Sequence, residues 1–229
     1  MDNPENDDIT RDEIKKEFQL ERMILFSDAV FAIVITLMAI EIKIPENEPL
    51  TDAHLPKALV HLMPTVLAYI VSFGFIGAIW YQHLKMFSLL KDYDRGLVVR
   101  NMLLLFFVGL FPFSATLISR GKGQMIPFFI YLGMILCCVI TQYVLYHYIV
   151  KGRPSLRINT DLSEHEKELD KRKIAVIGFS LSALLITTSY FMIPDPGMKP
   201  FAMLWMCVYA VVFRVIVKRR FQKSGKLPR

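Results

Sequence analysis

The sequence predicts an all-α integral membrane protein with six transmembrane helices per subunit. Three observations support this: 54% of the 229 residues are hydrophobic, the mean hydropathy is +0.40, and the apolar residues gather in six long runs. A helix needs about 20 mostly apolar residues to cross a ~30 Å hydrocarbon core, and each run reaches that length. The predicted spans are residues 20–44, 57–84, 97–119, 125–149, 173–193 and 199–220.

The predicted domain organisation is simple. Residues 1–19 form a mixed-charge cytoplasmic arm, residues 20–221 form the six-helix transmembrane domain, and residues 222–229 form a basic tail. The amino terminus lacks the basic region and apolar run of a cleaved signal peptide, so the first helix is expected to be retained.

Orientation follows from the lysines and arginines between the spans. Of these, 22 lie on the side that carries both termini and 5 on the other side. Because cytoplasmic loops are enriched in these residues, both termini are predicted to be cytoplasmic, in a multi-pass protein of the cell membrane. The formal net charge of +6 is then a consequence of topology and of a tail beside anionic lipid, and no nucleic-acid partner is predicted.

Motifs for enzymatic chemistry are missing from the sequence. It contains no Walker A motif, no glycine-rich dinucleotide fingerprint and no metalloprotease helix, so the chain is predicted not to be an enzyme and to need no cofactor. Cys137, Cys138 and Cys207 all lie in apolar runs, without zinc-site spacing or a disulfide framework. The TVGYG filter loop of the usual potassium channels is also missing.

The first span, RMILFSDAVFAIVITLMAIEIKIP, contains an alcohol and an acid, Ser27 and Asp28, in its first third. A charged residue in a spanning helix costs roughly 2.5–3.5 kcal/mol on insertion scales, so a buried partner is expected. At about 100° per residue, Ala29, Ile33, Thr36, Leu37 and Ile40 form one narrow stripe, and Asp28 points away from it. The acid therefore faces other helices, while the stripe is free to face a symmetry axis or lipid.

Polar residues of three spans lie at matching depth near the cytoplasmic side. We hypothesise that Asp28 accepts hydrogen bonds from His83 or Asn101, or pairs with Arg100 or Arg22, and so packs the first helix against the second and third. The matched residues are Ser27 and Asp28, Trp80 and His83, and Arg100 and Asn101.

The outward loop after the first span is acidic, with Glu41, Glu46, Glu48 and Asp52 against Lys43. Two interpretations stay open. A ring of these acids around a pore mouth would concentrate cations, whereas the plainer alternative is an ordinary solvated loop.

The pattern R-x-x-x-F-S-D at Arg22, Phe26, Ser27 and Asp28, followed by AVFAIVIT and EIKIP, resembles the first-helix signature of the lysosomal-type potassium channels, the transmembrane protein 175 family. W-x-x-H at Trp80 and His83, and N-x-L-L-L-F beginning at Asn101, are similar to that family as well. With six spans in one repeat, the chain resembles a prokaryotic member; the two-repeat lysosomal proteins differ from it, so lysosomal localisation and proton flux are not carried over.

The resemblance implies a homotetramer in which the first helices line the pore, with no re-entrant loop and with potassium permeating at a modest preference over sodium. It places a hydrophobic constriction at Ile33, further aliphatic layers at Leu37 and Ile40, and a selectivity hydroxyl at Thr36, with potassium ions in the pore near Ile33 and Thr36. These are residues of the stripe derived from helix geometry. The motif residues are expected to form a structural polar network, comprising Arg22, Phe26, Ser27, Asp28, Trp80, His83 and Asn101.

Two other classes of function stay open. A proton-coupled secondary transporter would use Asp28 and His83 as its titrating pair. A non-conducting membrane scaffold would turn the Ile33 stripe towards lipid.

Overall fold

The fold is helical, as predicted. The computed structural model describes residues 4–44, 51–52, 54–121, 124–158, 162–194, 208, 211–213 and 215–216, with side chains from Ile14 onward. Its helices are α1 (Pro4–Ile40), α2 (Leu55–Phe87), α3 (Arg95–Arg120), α4 (Met125–His147) and α5 (Ser163–Met192). A π-helical turn (Tyr148–Gly152) and a 3₁₀ turn (Pro154–Leu156) follow α4.

Each of the five helices contains a stretch long and apolar enough to cross a membrane. The first five predicted spans fall on α1 to α5, and the chain is a multi-pass membrane protein. The sixth predicted span, 199–220, lies largely outside the described residues, as do Cys207 and the tail at 222–229.

The predicted boundary between the cytoplasmic arm, residues 1–19, and the first span falls inside α1. From Pro4, α1 runs through this region without a break and reaches Ile40, a length of 37 residues. Residue 19 is therefore an interior position of the helix. Charged residues outnumber apolar ones in these first turns, so the helix extends well beyond the apolar run that marks the span.

Tertiary contacts divide the chain into two units, Met1–Asn159 and Thr160–Arg229. In the first unit, α1 packs against α2 and α3, and α3 packs along α4. The second unit contains α5, in which Phe179, Ser182 and Ile186 are buried.

Two polar contacts fix the ends of the first unit. At the end where α1 and α3 finish, Arg120 Nη2 donates to Glu41 Oε2 over 3.0 Å. At the other end, the amide of Ile158 donates to the Leu89 carbonyl over 2.8 Å, which joins the α2–α3 loop to the segment after α4. Glu41 of the acidic loop thus has a cationic partner, whereas Glu46 and Glu48 lie outside the described residues.

Candidate functional site

The helix α1 has two opposite faces with different environments. Its packing face is buried: Phe31, Val34 and Met38 are no more than 3% exposed. Its other face is open: Ile33 is 55% exposed, Leu37 46% and Ile40 55%. The open stripe also includes Ala29 and Thr36.

Thr36 is the one hydroxyl on the open stripe. Its Oγ1 donates back to the helix, to the carbonyls of Ala32 at 3.0 Å and Ile33 at 2.9 Å. Because the hydroxyl hydrogen is used within α1, the oxygen lone pairs remain available on the exposed side. Thr36 can therefore offer an acceptor, and not a donor, to whatever faces the stripe.

Asp28 is held by α2. Trp80 Nε1 donates to Asp28 Oδ1 over 2.9 Å. The hypothesis that His83 or Asn101 donates to this carboxylate is wrong, because His83 donates to Asn101 and Asn101 donates to Ser27. An indole nitrogen is a donor only, so this contact has a single possible direction.

Ser27, one residue earlier, is held by α3. Asn101 Nδ2 donates to Ser27 Oγ over 2.9 Å, and Ser27 Oγ donates to the Met23 carbonyl over 2.8 Å. The amide oxygen of Asn101 lies 3.0 Å from His83 Nε2. Since that oxygen can only accept, His83 donates from Nε2, and the hydrogen-bond chain runs from His83 through Asn101 to Ser27.

The direction of this chain fixes the histidine tautomer. With the proton on Nε2, neutral His83 has a bare Nδ1, which is buried and has no hydrogen-bond partner in the described part of the chain. The imidazole stacks on Phe87 at a centroid distance of 4.0 Å and lies 5.5 Å from Phe31. His83 is therefore enclosed by aromatic rings on the side away from Asn101.

Three predicted members of the polar cluster lie elsewhere. Arg22 is exposed, with its guanidinium 5.9 Å from the ring centroid of Phe18. Phe26 is 52% exposed. Arg100 Nη1 donates to the Gly96 carbonyl over 2.9 Å. Arg100 also lies over the ring of Tyr148, 3.9 Å from its centroid. Among the described contacts, neither arginine pairs with Asp28.

Sequence analysis missed a second set of buried polar residues between α2 and α4. Gln142 Nε2 donates to the Ile79 carbonyl over 2.9 Å, and Ser72 and Tyr131 share a hydrogen bond of 3.0 Å. A glutamine in the middle of an apolar span was a usable signal, for the same energetic reason that singled out Asp28.

Asp94 forms a further cluster outside the spans, where α3 begins. It caps α3 by accepting from the Leu97 amide at 2.7 Å, and its other oxygen accepts from the Tyr148 hydroxyl at 2.6 Å. Arg153 Nε lies 3.6 Å from the same carboxylate. Burial acts to raise the pKa of Asp94, but the Tyr148 and Leu97 hydrogen bonds and the nearby arginines outweigh it and lower that pKa.

A metal centre is not apparent in this part of the chain. Within the described ranges, no three His, Cys, Asp or Glu side chains are grouped to hold an ion. Ile33 and Thr36, which the resemblance associates with potassium, supply one apolar side chain and one hydroxyl oxygen per copy.

Comparison with known proteins finds a family match that includes the residues of the polar cluster. The model of the family "Endosomal/lysosomal potassium channel TMEM175" matches residues 22–112, the range that contains the whole Ser27, Asp28, Trp80, His83 and Asn101 cluster. A potassium channel of Chryseobacterium sp. is 28% identical over 206 residues, which cover 90% of this chain and 97% of that protein. The chain is similar to the TMEM175 family over residues 22–112.

A second relative is a potassium channel of Chamaesiphon minutus. It is 36% identical over 108 residues, and the match spans 47% of this chain and 53% of that protein, so about half of its length is covered. The crystal structure of a lysosomal potassium-selective channel TMEM175 homolog from Chamaesiphon minutus superposes with a TM-score of 0.63 at 23% identity, covering 91% of this chain and 99% of that one. At that identity the superposition shows the shared fold.

Proposed function

We propose that the chain is a potassium-selective cation channel of the cell membrane, modestly selective over sodium. In this proposal four copies assemble around an axis lined by α1, both termini are cytoplasmic, and Ile33 forms the narrowest ring. The observation that carries the proposal is the exposed apolar stripe on α1, which lies opposite a buried and hydrogen-bonded face. The names of the bacterial relatives, both potassium channels, support it.

The proposed mechanism begins with the ring of Ile33 side chains. A narrow apolar ring excludes water, and an ion can pass only when the ring widens and the ion loses part of its hydration. Leu37 and Ile40 continue the apolar surface outward. The free-energy cost of removing water from each cation at the Ile33 ring therefore determines which cation passes most easily.

Thr36 complements the apolar ring. The hydroxyl of Thr36 donates its hydrogen within α1. The Thr36 oxygen can therefore direct its lone pairs at a cation. Four such oxygens can replace part of a lost hydration shell without rotating, because the internal hydrogen bonds already orient them. This is the feature to which we assign the preference for potassium.

The polar cluster has a bracing role in this mechanism. Asp28 is tied to α2 and Ser27 to α3, at adjacent positions on α1. Two ties from different helices fix the rotation of α1 about its own axis, and so the direction in which Ile33 points. The cluster therefore acts on conduction through position and does not itself contact the ion.

A proton-coupled transporter built on Asp28 and His83 is less well supported. The two residues belong to separate hydrogen-bond branches, one ending at Trp80 and one at Ser27. An indole N–H cannot accept a proton in exchange for the one it donates. The described contacts therefore provide no proton path between the two groups.

The test is single-channel recording of purified protein in planar bilayers, in potassium and then in sodium. We expect unitary currents that are larger in potassium, and larger, less selective currents for Ile33→Asn. The matched control is Leu67→Asn on α2, because Leu67 is also 55% exposed. Saturable flux without unitary currents would indicate a transporter, and loss of insertion with both variants and no current in the parent would indicate a scaffold.

A further inference from the structure

Tyr148 is held in one position where α4 ends and α3 begins. Its hydroxyl donates to Asp94 over 2.6 Å, and two glycines make room for its ring. A Cβ at Gly152 would lie 3.0 Å from Tyr148 Cδ2, and a Cβ at Gly96 would collide with the Tyr148 hydroxyl. We call this region, residues 94–100 and 148–153, the α3–α4 junction.

Two arginines flank Tyr148. The guanidinium of Arg100 lies over the ring, 3.9 Å from its centroid. Arg153 Nε donates to the Tyr148 hydroxyl over 3.3 Å. Because both arginines contact the same fixed side chain, two positive charges are held close together at the junction.

Most N–H groups of these two arginines are available to a further acceptor. A guanidinium has five N–H donors. Arg100 uses Nη1 for the Gly96 carbonyl, and Arg153 uses Nε for Tyr148 and for Asp94, 3.6 Å away. Among the described contacts, no other hydrogen bond or ion pair occupies either guanidinium. Their planar arrays of donors match the oxygens of a phosphate.

Positive charge exceeds negative charge at the junction. Four cationic side chains belong to it: Arg95, Arg100, Lys151 and Arg153. Asp94 offsets one of them, and its two oxygens already accept hydrogen bonds from Leu97 and Tyr148. Asp92, two residues earlier, lies 3.9 Å from Lys16 instead. The junction therefore attracts an anion.

The junction lies at the membrane surface. The helix α3 begins at Arg95, and its apolar sequence begins at Leu97. Tyrosines such as Tyr148 are enriched where a membrane meets water. The Arg100 side chain extends back to the Gly96 carbonyl, towards the start of α3, as arginines near helix ends do. The cations are therefore at the level of lipid headgroups.

Exposed apolar side chains lie one turn deeper in the membrane. Leu103, three residues after Arg100 on α3, is 46% exposed. Val144, four residues before Tyr148 on α4, is 40% exposed. Residues three or four apart are neighbours on a helix surface. The cationic junction thus adjoins an apolar surface that suits acyl chains, which a site for free phosphate would not need.

We propose that the α3–α4 junction binds the phosphate headgroup of an anionic glycerophospholipid. Arg100 and Arg153 donate to the phosphate, Lys151 adds a third positive charge, and the acyl chains lie over Leu103 and Val144. The choice of leaflet rests on the proposed topology, in which the junction faces the cytoplasm, where the membrane surface is negative. The site contains no residue of α1, so it leaves the proposed ion path open.

Native mass spectrometry of the purified full chain in detergent tests the site, with added phosphatidylglycerol or zwitterionic phosphatidylcholine. We expect the parent to bind phosphatidylglycerol at least fivefold more tightly than phosphatidylcholine. Arg153→Gln should weaken phosphatidylglycerol binding about fivefold, the effect of one basic residue beside an anionic lipid surface. The matched control is Lys43→Gln, which removes one exposed positive charge at the other end of the first span.

A second variant separates lipid contact from the Asp94 pair that Arg153→Gln also loses. Lys151 is exposed and has no side-chain partner among the described contacts, so Lys151→Gln should weaken phosphatidylglycerol binding without that loss. Equal affinities for the two lipids, or equal losses in Arg153→Gln and Lys43→Gln, would overturn the site.

Inorganic phosphate distinguishes a free anion from a lipid. We expect phosphatidylglycerol to raise the melting temperature of the parent by several degrees, and phosphate to have no effect beyond that of chloride at equal ionic strength. Stabilisation by phosphate that matches the lipid would contradict the proposal. Because binding is measured without ion flow, selective lipid binding in a protein that passes no potassium current would contradict the channel and leave the lipid site standing.

Discussion

Trp80 Nε1 lies 2.9 Å from Asp28 Oδ1, and this contact joins α2 to α1 at the residue next to Ser27. Asn101 of α3 holds Ser27 in turn, over 2.9 Å. Adjacent side chains of one helix are thereby tied to two different helices. Because rotating α1 would break both ties, this pair of contacts helps to hold its open stripe in one direction.

Removing the indole donor should loosen α1. For Trp80→Phe we expect a loss of about 0.5–1.5 kcal/mol in the free energy of unfolding, the usual net contribution of one hydrogen bond. The measurement is thermal unfolding of the purified protein in detergent. Tyr81→Phe is the control, since Tyr81 is the next residue and 56% exposed. If Trp80→Phe unfolded at the same temperature as the parent protein, the Trp80–Asp28 contact would not brace α1.

The chain from His83 through Asn101 to Ser27 should behave as one unit. Asn101→Leu leaves the buried His83 N–H without an acceptor and should cost about 1–3 kcal/mol, whereas Ser27→Ala should cost less. Combined, the two changes should cost little more than Asn101→Leu alone. A double-mutant cycle of unfolding free energies measures this coupling. If the losses of the two single variants simply added, the hydrogen-bond chain from His83 to Ser27 would be contradicted.

Asp94 should make stability depend on pH at the acidic end. Burial opposes the charged form, but Tyr148, Leu97 and Arg153 stabilise it more, so the folded-state pKa is lowered from 3.8. Folded protein then binds fewer protons than unfolded protein, and the stabilisation is present above about pH 4 and lost as the pH falls below it. Asp94→Asn should flatten the melting temperature over this range, and Asp52→Asn, in an exposed loop, should not.

Gly96 should tolerate no side chain. A Cβ at this position would collide with the hydroxyl of Tyr148 and lie 3.1 Å from Arg100 Nη1. We therefore expect Gly96→Ala to lower the melting temperature by several degrees, and Tyr148→Phe to recover part of the loss. Gly109→Ala in the same helix is the control, since a Cβ there meets nothing within 4 Å and alanine favours the helix. Equal effects of both alanines would be inconsistent with the packing of Tyr148 on α3.

The sequence predicted the helical fold and several members of the polar cluster better than their pairing. Hydropathy located the spans of α1 to α5 because the membrane imposes their length. The matching depth of Asp28, Trp80 and Asn101 in their spans predicted that they lie in one layer of the membrane. Depth does not show how each helix is rotated about its own axis. Which donor reaches Asp28 depends on how α2 is turned, and that follows from packing across the whole interface.

Other features left weaker signals in the sequence. The first turns of α1, up to residue 19, have a charged composition that hides most of their helical form, because Ile14 and Phe18, one turn apart, do not make a visible pattern. The Asp94 and Tyr148 contact joins residues 54 positions apart through the turn after α4. Single-sequence patterns carry no information on such pairings, whereas Gln142 was detectable as a polar residue in an apolar span.

The direct test of the channel mechanism is whether Ile33 faces the ion path. In a background with Cys137, Cys138 and Cys207 replaced by alanine, single-channel currents of Ile33→Cys are recorded before and after a cationic thiosulfonate reagent. Leu67→Cys is the control, because Leu67 and Ile33 are equally exposed in the parent chain. We expect the reagent to reduce the potassium current of Ile33→Cys by more than half and to leave Leu67→Cys unchanged. Unaltered current through an Ile33→Cys protein that mass spectrometry shows to be modified would contradict the assignment of Ile33 to the pore.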